Sequence, residues 1–279
     1  MSLTIADLVK QAQNSLTAGA IDSAARDARF LVAKAVDMPA DRLTLEARSD
    51  ATLAQQTALL GLVARRLSRE PLSHILGTRA FFNHSFAVTA ATLDPRPETE
   101  ALVLEALKRP FKSVLDLGTG TGAIAISLLA ERPDARGTAT DVSADALAVA
   151  RQNADAIGVT DRLTLTESNW FAAVEGIFDL IVSNPPYIAL VEMDALAPEL
   201  SYEPRIALTD EADGLTAYRA ITKGAPDHLA PAGWLMVEIG WQQGPDVAAL
   251  FQEAGLRNVA VLPDLDGRDR VVIGQKRPT

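Results

Sequence analysis

The sequence predicts an α/β protein, with a mostly parallel seven-stranded sheet covered by helices on both faces and a small helical bundle before it. Three observations lead to this class. Apolar residues recur at helical spacing through residues 1–75. From residue 112 onward, short apolar runs alternate with amphipathic stretches, as in sheets built from β-α-β units. The last two apolar runs are joined by a short turn at residues 264–267, so the last strand should be antiparallel.

The N-terminal part, residues 1–75, is expected to be a helical domain. Two apolar stripes have helical spacing, and they comprise Ile5, Leu8, Val9, Ala12 and Leu16, and then Ile21, Ala24, Ala25, Ala28, Leu31, Val32 and Ala35. A third run, Leu53–Leu67, ends before Pro71. Since each helix has a single apolar stripe, the helices should pack together as a bundle.

Residues 76–100 are expected to form a β-hairpin and linker between this domain and the sheet domain, residues 101–279. Aromatic and β-branched residues alternate over 76–95, and two prolines within Asp94–Glu100 favour an extended approach to the next helix. The expected strands are Ser113–Gly118, Arg136–Asp141, Arg162–Ser168, Phe178–Asn184, Gly233–Gly240, Arg257–Pro263 and Asp269–Gln275. The expected helices are Ala123–Arg132, Ala144–Gly158, a helix and turn over Ala217–Gly233, and Pro245–Gly255.

Composition excludes several classes of protein. The 279 residues are 48% hydrophobic and 22% charged, as in globular rather than disordered chains. There is no cysteine, and the three histidines are scattered, so no metal site is expected. The formal net charge of -10 counts against nucleic acid as the main partner, and the one arginine cluster, Arg65–Arg69, is expected to be a solvated helix face. With neither a signal peptide nor a long apolar run, we expect a cytoplasmic protein without a membrane partner.

A glycine-rich loop joins the first strand of the sheet to its helix, and its sequence over 116–122 is Asp-Leu-Gly-Thr-Gly-Thr-Gly. Glycines allow positive φ and let a ligand approach backbone N–H groups. Asp141 closes the second strand, where a carboxylate can accept hydrogen bonds from two ribose hydroxyls. An adenosine-like ligand is therefore expected at the strand tips, held by Gly118, Thr119, Gly120, Thr121, Gly122 and Asp141.

This loop favours S-adenosylmethionine over a dinucleotide. The dinucleotide fingerprint has G-x-G-x-x-G spacing, which differs from the spacing here. Asp116 would repel a pyrophosphate but would attract the amino group of a methionine moiety, which makes it a second-rank contact. Trp170, rather than Phe171, is expected to pack against the adenine ring.

The fourth strand ends in Asn184-Pro185-Pro186-Tyr187. The Asn184 side-chain carbonyl and the Pro185 backbone carbonyl can accept both hydrogens of a planar –NH₂ group, and Tyr187 offers a ring for stacking. Pro186 stiffens the turn. We call these four residues, Asn184–Tyr187, the acceptor corner. It can turn the lone pair of an amide-type nitrogen toward a sulfonium methyl group, so that positioning and fixed dipoles supply the acceleration of methyl transfer.

Together these motifs resemble the release factor glutamine methyltransferases, the PrmC/HemK family. The likeness covers nearly the whole chain and includes "DLGTGTGAIAISLL", "NWF", "NPPY", "REPLSHILGTRAFF", "LDPRPETE", "EIGWQQG" and "DLDGRDRVV". Asp94 and Ala80 depart from the family pattern, and both lie in the linker. Arg96 and Glu100, in the same segment, are expected to be second-rank contacts.

The resemblance implies a Rossmann-like class I methyltransferase that uses S-adenosylmethionine. Its substrate would be the side-chain amide N5 of the glutamine in the Gly-Gly-Gln motif of class 1 peptide chain release factors. It also implies that the helical domain helps to bind the release factor. Asn184 would contact both the glutamine and the methionine moiety.

Two alternatives stay open from the residues. An adenine-N6 methyltransferase of DNA or RNA shares the Asn-Pro-Pro-Tyr corner, but the acidic net charge and the lack of a basic domain count against it. A non-catalytic binding module would keep the fold, and the intact corner counts against that.

Overall fold

The computed structural model describes residues 3–278, and the chain forms two compact units. The first unit extends up to Thr78 and also includes Ala197–Tyr202. The second unit comprises Arg79–Leu196 and the chain from Glu203 onward. Most of the hairpin expected within residues 76–100 therefore belongs to the second unit.

The first unit is a helical bundle of α1 (Ile5–Ala18), α2 (Ala24–Ala35), α3 (Leu53–Leu67) and the short α4 (Leu72–Leu76). Helix α1 begins at a capping box, in which the Thr4 hydroxyl accepts a hydrogen bond from the Asp7 N–H and the Asp7 carboxylate accepts one from the Thr4 N–H. The stripe predicted on α1 faces the core of the bundle, where Leu8 and Leu16 are fully buried.

The second predicted stripe was wrong at one position, and the predicted arginine face was wrong at another. Ala25 is exposed, whereas Asp27 is buried and accepts hydrogen bonds from Arg66 Nε (2.9 Å) and Ser23 Oγ (2.7 Å). Arg66 is buried as well, and its Nη1 also donates to Glu199 Oε1 at 3.2 Å. A buried charge needs a partner, and Arg66 is that partner for Asp27. Helix α2 therefore buries Asp27 and exposes Ala25, although residue type alone favours alanine in the core.

The hairpin β1 (Thr78–Phe81) and β2 (His84–Ala87), which belongs to the second unit apart from its first residue, precedes a seven-stranded sheet. The strands of the sheet are β3 (Ser113–Leu117), β4 (Arg136–Asp141), β5 (Leu163–Glu167), β6 (Phe178–Ser183), β7 (Leu229–Glu238), β8 (Arg257–Pro263) and β9 (Asp269–Gln275). The helices are α5 (Glu100–Leu107), α6 (Ala123–Glu131), α7 (Ala144–Ile157), α8 (Thr216–His228) and α9 (Gly244–Glu253).

Strand order in the sheet is β5-β4-β3-β6-β7-β9-β8, and the neighbours from β5 to β7 are all parallel. Strand β9 is antiparallel to both β7 and β8, which confirms the predicted reversal of the last strand. Alternate residues of β6 face opposite layers: Leu180 and Val182 pack into the core that includes residues of α5, α6 and α7, whereas Ile181 packs into the core that includes residues of α8 and α9. Both faces are covered, as predicted.

Strand β7 begins earlier than its sequence suggests. A turn was expected up to Gly233, but the strand starts at Leu229, directly after α8. Phe178 of β6 pairs with Leu229 and Leu180 pairs with Trp234, so the register shifts between these two pairs. A bulge of this kind accommodates the Ala-Pro-Ala-Gly sequence inside a strand, which the residue types alone do not indicate.

The topology fixes where a ligand can bind. From β3 the chain continues to β4 and β5 on one side, and it then crosses to β6 on the other side. The carboxyl ends of β3 and β6 therefore flank the point at which the strand order reverses, and crevices at such points are the usual binding sites of open α/β sheets.

Candidate active site

A cavity of about 610 Å³ opens at the carboxyl ends of β3, β4, β5 and β6. Its size falls within the range of small-molecule sites, roughly 300–1,000 Å³. The residues predicted for the site that line this cavity are Gly118, Thr119, Gly120, Thr121, Asp141, Trp170, Asn184, Pro186 and Arg96. The structure thus brings the glycine loop, Asp141 and the Asn184–Pro186 turn together around one space.

The glycine loop is shaped by backbone conformations that L side chains rarely adopt. Gly118, Gly120 and Gly122 have φ values of 69°, 56° and 81°. A Cβ atom added at Gly120 would meet nothing within 4 Å, whereas one added at Gly122 would lie 2.5 Å from Ile126 Cδ1. Gly120 therefore leaves open space for a ligand at the cavity wall, and Gly122 allows the loop to pack closely on α6.

Asp116 is hydrogen-bonded to the glycine loop but does not itself line the cavity. It is fully buried, and its Oδ2 accepts hydrogen bonds from the Thr119 hydroxyl (2.6 Å) and the Ala125 N–H (3.2 Å) in the first turn of α6. Burial raises the pKa of Asp116 to about 6, against the effect of these two bonds. Its contacts in the structure are with the protein, and its direct contact with a methionine amino group stays a prediction.

Asp141 at the end of β4 lines the cavity and also holds the loop in place. Its Oδ2 accepts a hydrogen bond from the Gly120 N–H at 2.9 Å, and its Oδ1 accepts one from the Ser143 N–H at 3.0 Å. Each carboxylate oxygen has a second lone pair, so both can still accept a ribose hydroxyl. The same acid can therefore fix the loop and bind a ribose.

Trp170 lines the cavity from the segment that follows β5. Its φ is 51°, and the Ser168 hydroxyl stabilises this turn by donating to the Trp170 carbonyl at 2.8 Å. Phe171, by contrast, is stacked on His228 with ring centroids 4.9 Å apart. The two neighbouring aromatics therefore have different surroundings, and only Trp170 lines the cavity.

The Asn184 amide is held in one orientation. Its Nδ2 donates to the Thr99 hydroxyl at 3.2 Å, which leaves Oδ1 as an acceptor for a ligand. The Pro185 carbonyl oxygen accepts no hydrogen bond from the described residues. Asn184 and Pro186 line the cavity at the end of β6, whereas Pro185 does not, so the contact of its carbonyl with a substrate stays a prediction.

Tyr187 and Glu100 do not line the cavity. The Tyr187 carbonyl accepts a hydrogen bond from Gln243 Nε2 at 3.0 Å, and burial together with the charge of Glu238 raises the pKa of the Tyr187 phenol. Glu100 accepts a hydrogen bond from the Phe82 N–H at 2.8 Å and so anchors the hairpin turn. Arg96 does line the cavity, and it is paired with the buried Glu203 at 2.5 Å.

Sequence reasoning missed several residues that support the site. Asn153 of α7 donates to the Thr121 carbonyl at 2.9 Å and accepts from the Ala87 N–H at 2.7 Å, so it joins the glycine loop to the hairpin. A polar residue on the buried stripe of α7 was the signal that could have revealed it. Thr99 and residues 204–207 lie in "LDPRPETE" and "EPRIAL", two segments that resemble the family, but no place at the site was predicted for them.

None of the helices in the described part of the chain combines the length and apolar character that a membrane span requires.

The sheet order, the two helical layers and the glycine loop at the carboxyl end of β3 define a Rossmann-like class I methyltransferase, an enzyme that uses S-adenosylmethionine as its methyl donor. The methyltransferase small domain family matches residues 90–254, and the PrmC N-terminal domain family matches residues 7–77. The chain belongs to the release factor glutamine methyltransferase family.

Two relatives illustrate this membership. A release factor glutamine methyltransferase from Cereibacter sphaeroides is 55% identical over 96% of this chain and 96% of its own. One from Caulobacter vibrioides is 39% identical over 100% of this chain and 98% of its own. A solved methyltransferase from Pyrococcus furiosus, with a TM-score of 0.55 and 20% identity, covers 77% of this chain and 97% of its own, and this likeness concerns the fold alone.

Proposed function

We propose that this protein transfers a methyl group from S-adenosylmethionine to the side-chain amide N5 of the glutamine in the Gly-Gly-Gln motif of class 1 peptide chain release factors. The observation that carries the proposal is the fixed Asn184 amide, whose Nδ2 donates to Thr99 and whose Oδ1 is thereby left as an acceptor at the cavity. Together with the Pro185 carbonyl, this oxygen would form a pair of acceptors, which suits a primary amide because that group carries two hydrogens on one flat nitrogen.

The corner acts on the nitrogen of the substrate. An amide nitrogen is a poor nucleophile because its lone pair is delocalised into the carbonyl group. When Asn184 Oδ1 and the Pro185 carbonyl hold its two hydrogens, the lone pair is directed toward the methyl carbon. As the new N–C bond forms and the S–C bond breaks, the nitrogen becomes acidic and loses one proton to solvent. Fixed dipoles and alignment replace a strong base in this account.

The residues of the other half of the cavity fit the methyl donor. S-adenosylmethionine supplies a methyl group on a positively charged sulfur. Asp141 would accept hydrogen bonds from the ribose, Trp170 would pack against the adenine, and the open space at Gly120 would receive the ligand against the backbone. Asn184, between the two halves, would contact both the methionine moiety and the glutamine.

A protein partner fits the charge of the chain better than a nucleic acid does. The net charge is -10, and two arginines of the cluster at residues 65–69 are engaged within the first unit: Arg65 with Glu70, and Arg66 with Asp27 and Glu199. We propose that the helical domain, expected over residues 1–75, contributes to binding the release factor, and that neither DNA nor RNA is a direct substrate.

The test is mass analysis of the tryptic peptide that contains the Gly-Gly-Gln motif, after a release factor has been incubated with the protein and S-adenosylmethionine. We expect a mass increase of one methyl group on the glutamine. A release factor with that glutamine changed to alanine is the control and should not be modified. Labelling of DNA or RNA adenine by the same protein, with none in the release factor, would favour the nucleic-acid alternative.

A further inference from the structure

Three residues from different parts of the second unit meet behind the acceptor corner. Ser183 of β6 pairs in register with Val237 of β7, so the next residues along these parallel strands, Asn184 and Glu238, lie side by side. Thr99 comes from the 3₁₀ turn before α5 and is buried. Its hydroxyl accepts a hydrogen bond from Asn184 Nδ2 at 3.2 Å, and its interaction with the Glu238 carboxylate lowers the pKa of that carboxyl group.

The direction of these bonds follows from the chemistry of the groups. An ionised carboxylate can only accept hydrogen bonds, and a hydroxyl has a single hydrogen to donate. While Glu238 is ionised, the Thr99 hydroxyl therefore donates to Glu238, and its oxygen is left to accept from Asn184. The Asn184 amide must then turn its –NH₂ group toward Thr99. A flipped amide would instead point two hydrogens at the hydrogens of the substrate amide.

We propose that Thr99 and Glu238 are positioning residues for methyl transfer, with Glu238 orienting the Thr99 hydroxyl and Thr99 fixing the Asn184 carbonyl oxygen toward the glutamine nitrogen. This proposal deepens the proposed function and rests on it. Neither residue needs to touch the reacting atoms, because both act through the orientation of Asn184.

The burial of Glu238 supports a role beyond stability. Glu238 is 1% exposed and Thr99 is 4% exposed, and Glu238 Oε2 has no hydrogen-bond partner among the described residues. A buried carboxylate with an unpaired oxygen destabilises a fold, so a purely structural role would be served better by a neutral side chain. Orienting the Thr99 hydroxyl would give this destabilising carboxylate a function at the site.

Because Glu238 should ionise near neutral pH, the orientation of the Asn184 amide should depend on pH. Burial raises the pKa of Glu238 to about 7, against the effects of Thr99, Arg270 on β9 and Arg96, and with a contribution from the charge of Glu98. Tyr187, which follows the same corner, also interacts with this carboxylate. When Glu238 is protonated, its own O–H can donate to Thr99, and the constraint on the direction of the Asn184 amide is lost.

The first test compares Thr99→Val and Thr99→Ser in the full chain, with S-adenosylmethionine and a release factor as substrates. Valine keeps the shape of the side chain but cannot accept from Asn184. We expect Thr99→Val to lower kcat by about 10-fold to 100-fold, the range in which a misplaced catalytic contact operates. KM for the release factor and Kd for S-adenosylmethionine should change by less than about twofold, and Thr99→Ser should restore kcat to within about threefold of wild type.

A double-mutant cycle separates positioning from general damage. If Thr99 acts only through Asn184, then Thr99→Val should cost nothing further in an Asn184→Ala background. A loss of the same factor in both backgrounds would overturn the proposal, as would an inactive Thr99→Ser variant that binds S-adenosylmethionine normally. Thermal unfolding and cofactor titration of each variant identify any that has simply failed to fold.

The second test is the pH profile of Glu238→Gln, which is neutral at every pH. Wild-type kcat should rise as pH increases through about 7, because the ionised carboxylate sets the direction of the bonds. The variant should lack this rise and should be slower than wild type at pH 8. Identical profiles would overturn the role of Glu238. If wild-type protein methylates no release factor, the proposed function fails; if wild type is active and Thr99→Val is equally fast, only the positioning role fails.

Discussion

The two halves of the cavity are held in place by partners at different distances along the chain. In the cofactor half, the Thr119 hydroxyl bonds to Asp116 and the Gly120 N–H bonds to Asp141, all within one β-α-β unit. In the acceptor half, Asn184 bonds to Thr99, which is 85 positions away in the sequence. The cofactor half is therefore a local structure, whereas the acceptor half exists only in the folded unit. Substitutions should accordingly separate cofactor affinity from turnover.

The largest effect is expected from Asn184→Ala, which removes an acceptor but leaves the glycine loop intact. Methyl transfer to a release factor should fall by on the order of 10² or more, as when one preorganised polar contact is lost. Cofactor affinity, measured by calorimetric titration, should fall much less. The exposed Asn83 in the hairpin turn provides the control, and Asn83→Ala should be near wild type. Near-normal turnover of Asn184→Ala would remove this residue from the mechanism.

Asp141→Ala should show the opposite pattern, with a large loss of cofactor affinity. The substitution removes the acceptor for the ribose and also the anchor of the Gly120 N–H. Hydrogen bonds to a charged group contribute roughly 1.5–3 kcal/mol, so Kd for S-adenosylmethionine should rise by about 10-fold to 100-fold. Asp145 is exposed in the first turn of α7, and Asp145→Ala is the matched control. Unchanged affinity of the Asp141 variant would make the ribose assignment wrong.

A third prediction concerns the pH dependence of stability in the cofactor half. The pKa of Asp116 is raised from 3.8 to about 6 by burial, so the folded protein holds this proton more tightly than the unfolded chain does. The resulting stabilisation is fully present below pH 3.8 and is lost as pH rises through about 6. The free energy of unfolding of wild type, relative to Asp116→Asn, should therefore fall by up to about 2 kcal/mol between pH 4 and 6.5.

Denaturant unfolding of both proteins across this pH range provides the measurement. Taking the difference between the two proteins removes the contribution of the other acids. A difference that stays constant with pH would show that Asp116 keeps an ordinary pKa, and its role in supporting the loop would then have to be that of a fully charged group.

The smallest of these effects is expected from Trp170→Ala. Aromatic stacking contributes about 0.5–1.5 kcal/mol beyond area burial, so Kd for S-adenosylmethionine should rise by roughly 2-fold to 10-fold. Trp241 is 56% exposed and does not line the cavity, so Trp241→Ala should leave Kd unchanged. Equal effects of the two substitutions would contradict an adenine contact at Trp170.

Much of the fold followed from local patterns, and the exceptions have physical causes. The expected run Asp269–Gln275 coincides with β9, and the predicted stripe of α1 faces the bundle core. The start of β7 was predicted too late because a bulge against β6 keeps the residues before Gly233 in the strand. Asp27 was not placed in the core, because only its pairing with Arg66 makes the burial of that carboxylate tolerable.

Sequence alone determined the order of the elements, the bends of the glycine loop and the candidate residues at the strand tips, because these depend on neighbours along the chain. Only the tertiary structure decided the orientation of the Asn184 amide and the burial of Asp116 beneath its hydrogen bonds to the glycine loop and α6. Hydrogen-bond direction and burial are set by atoms brought together from distant parts of the chain. Thr99 and Glu238 lie within the motifs "LDPRPETE" and "EIGWQQG", but the sequence alone assigned them no role, because their relation to Asn184 arises only where the turn before α5 meets the ends of β6 and β7.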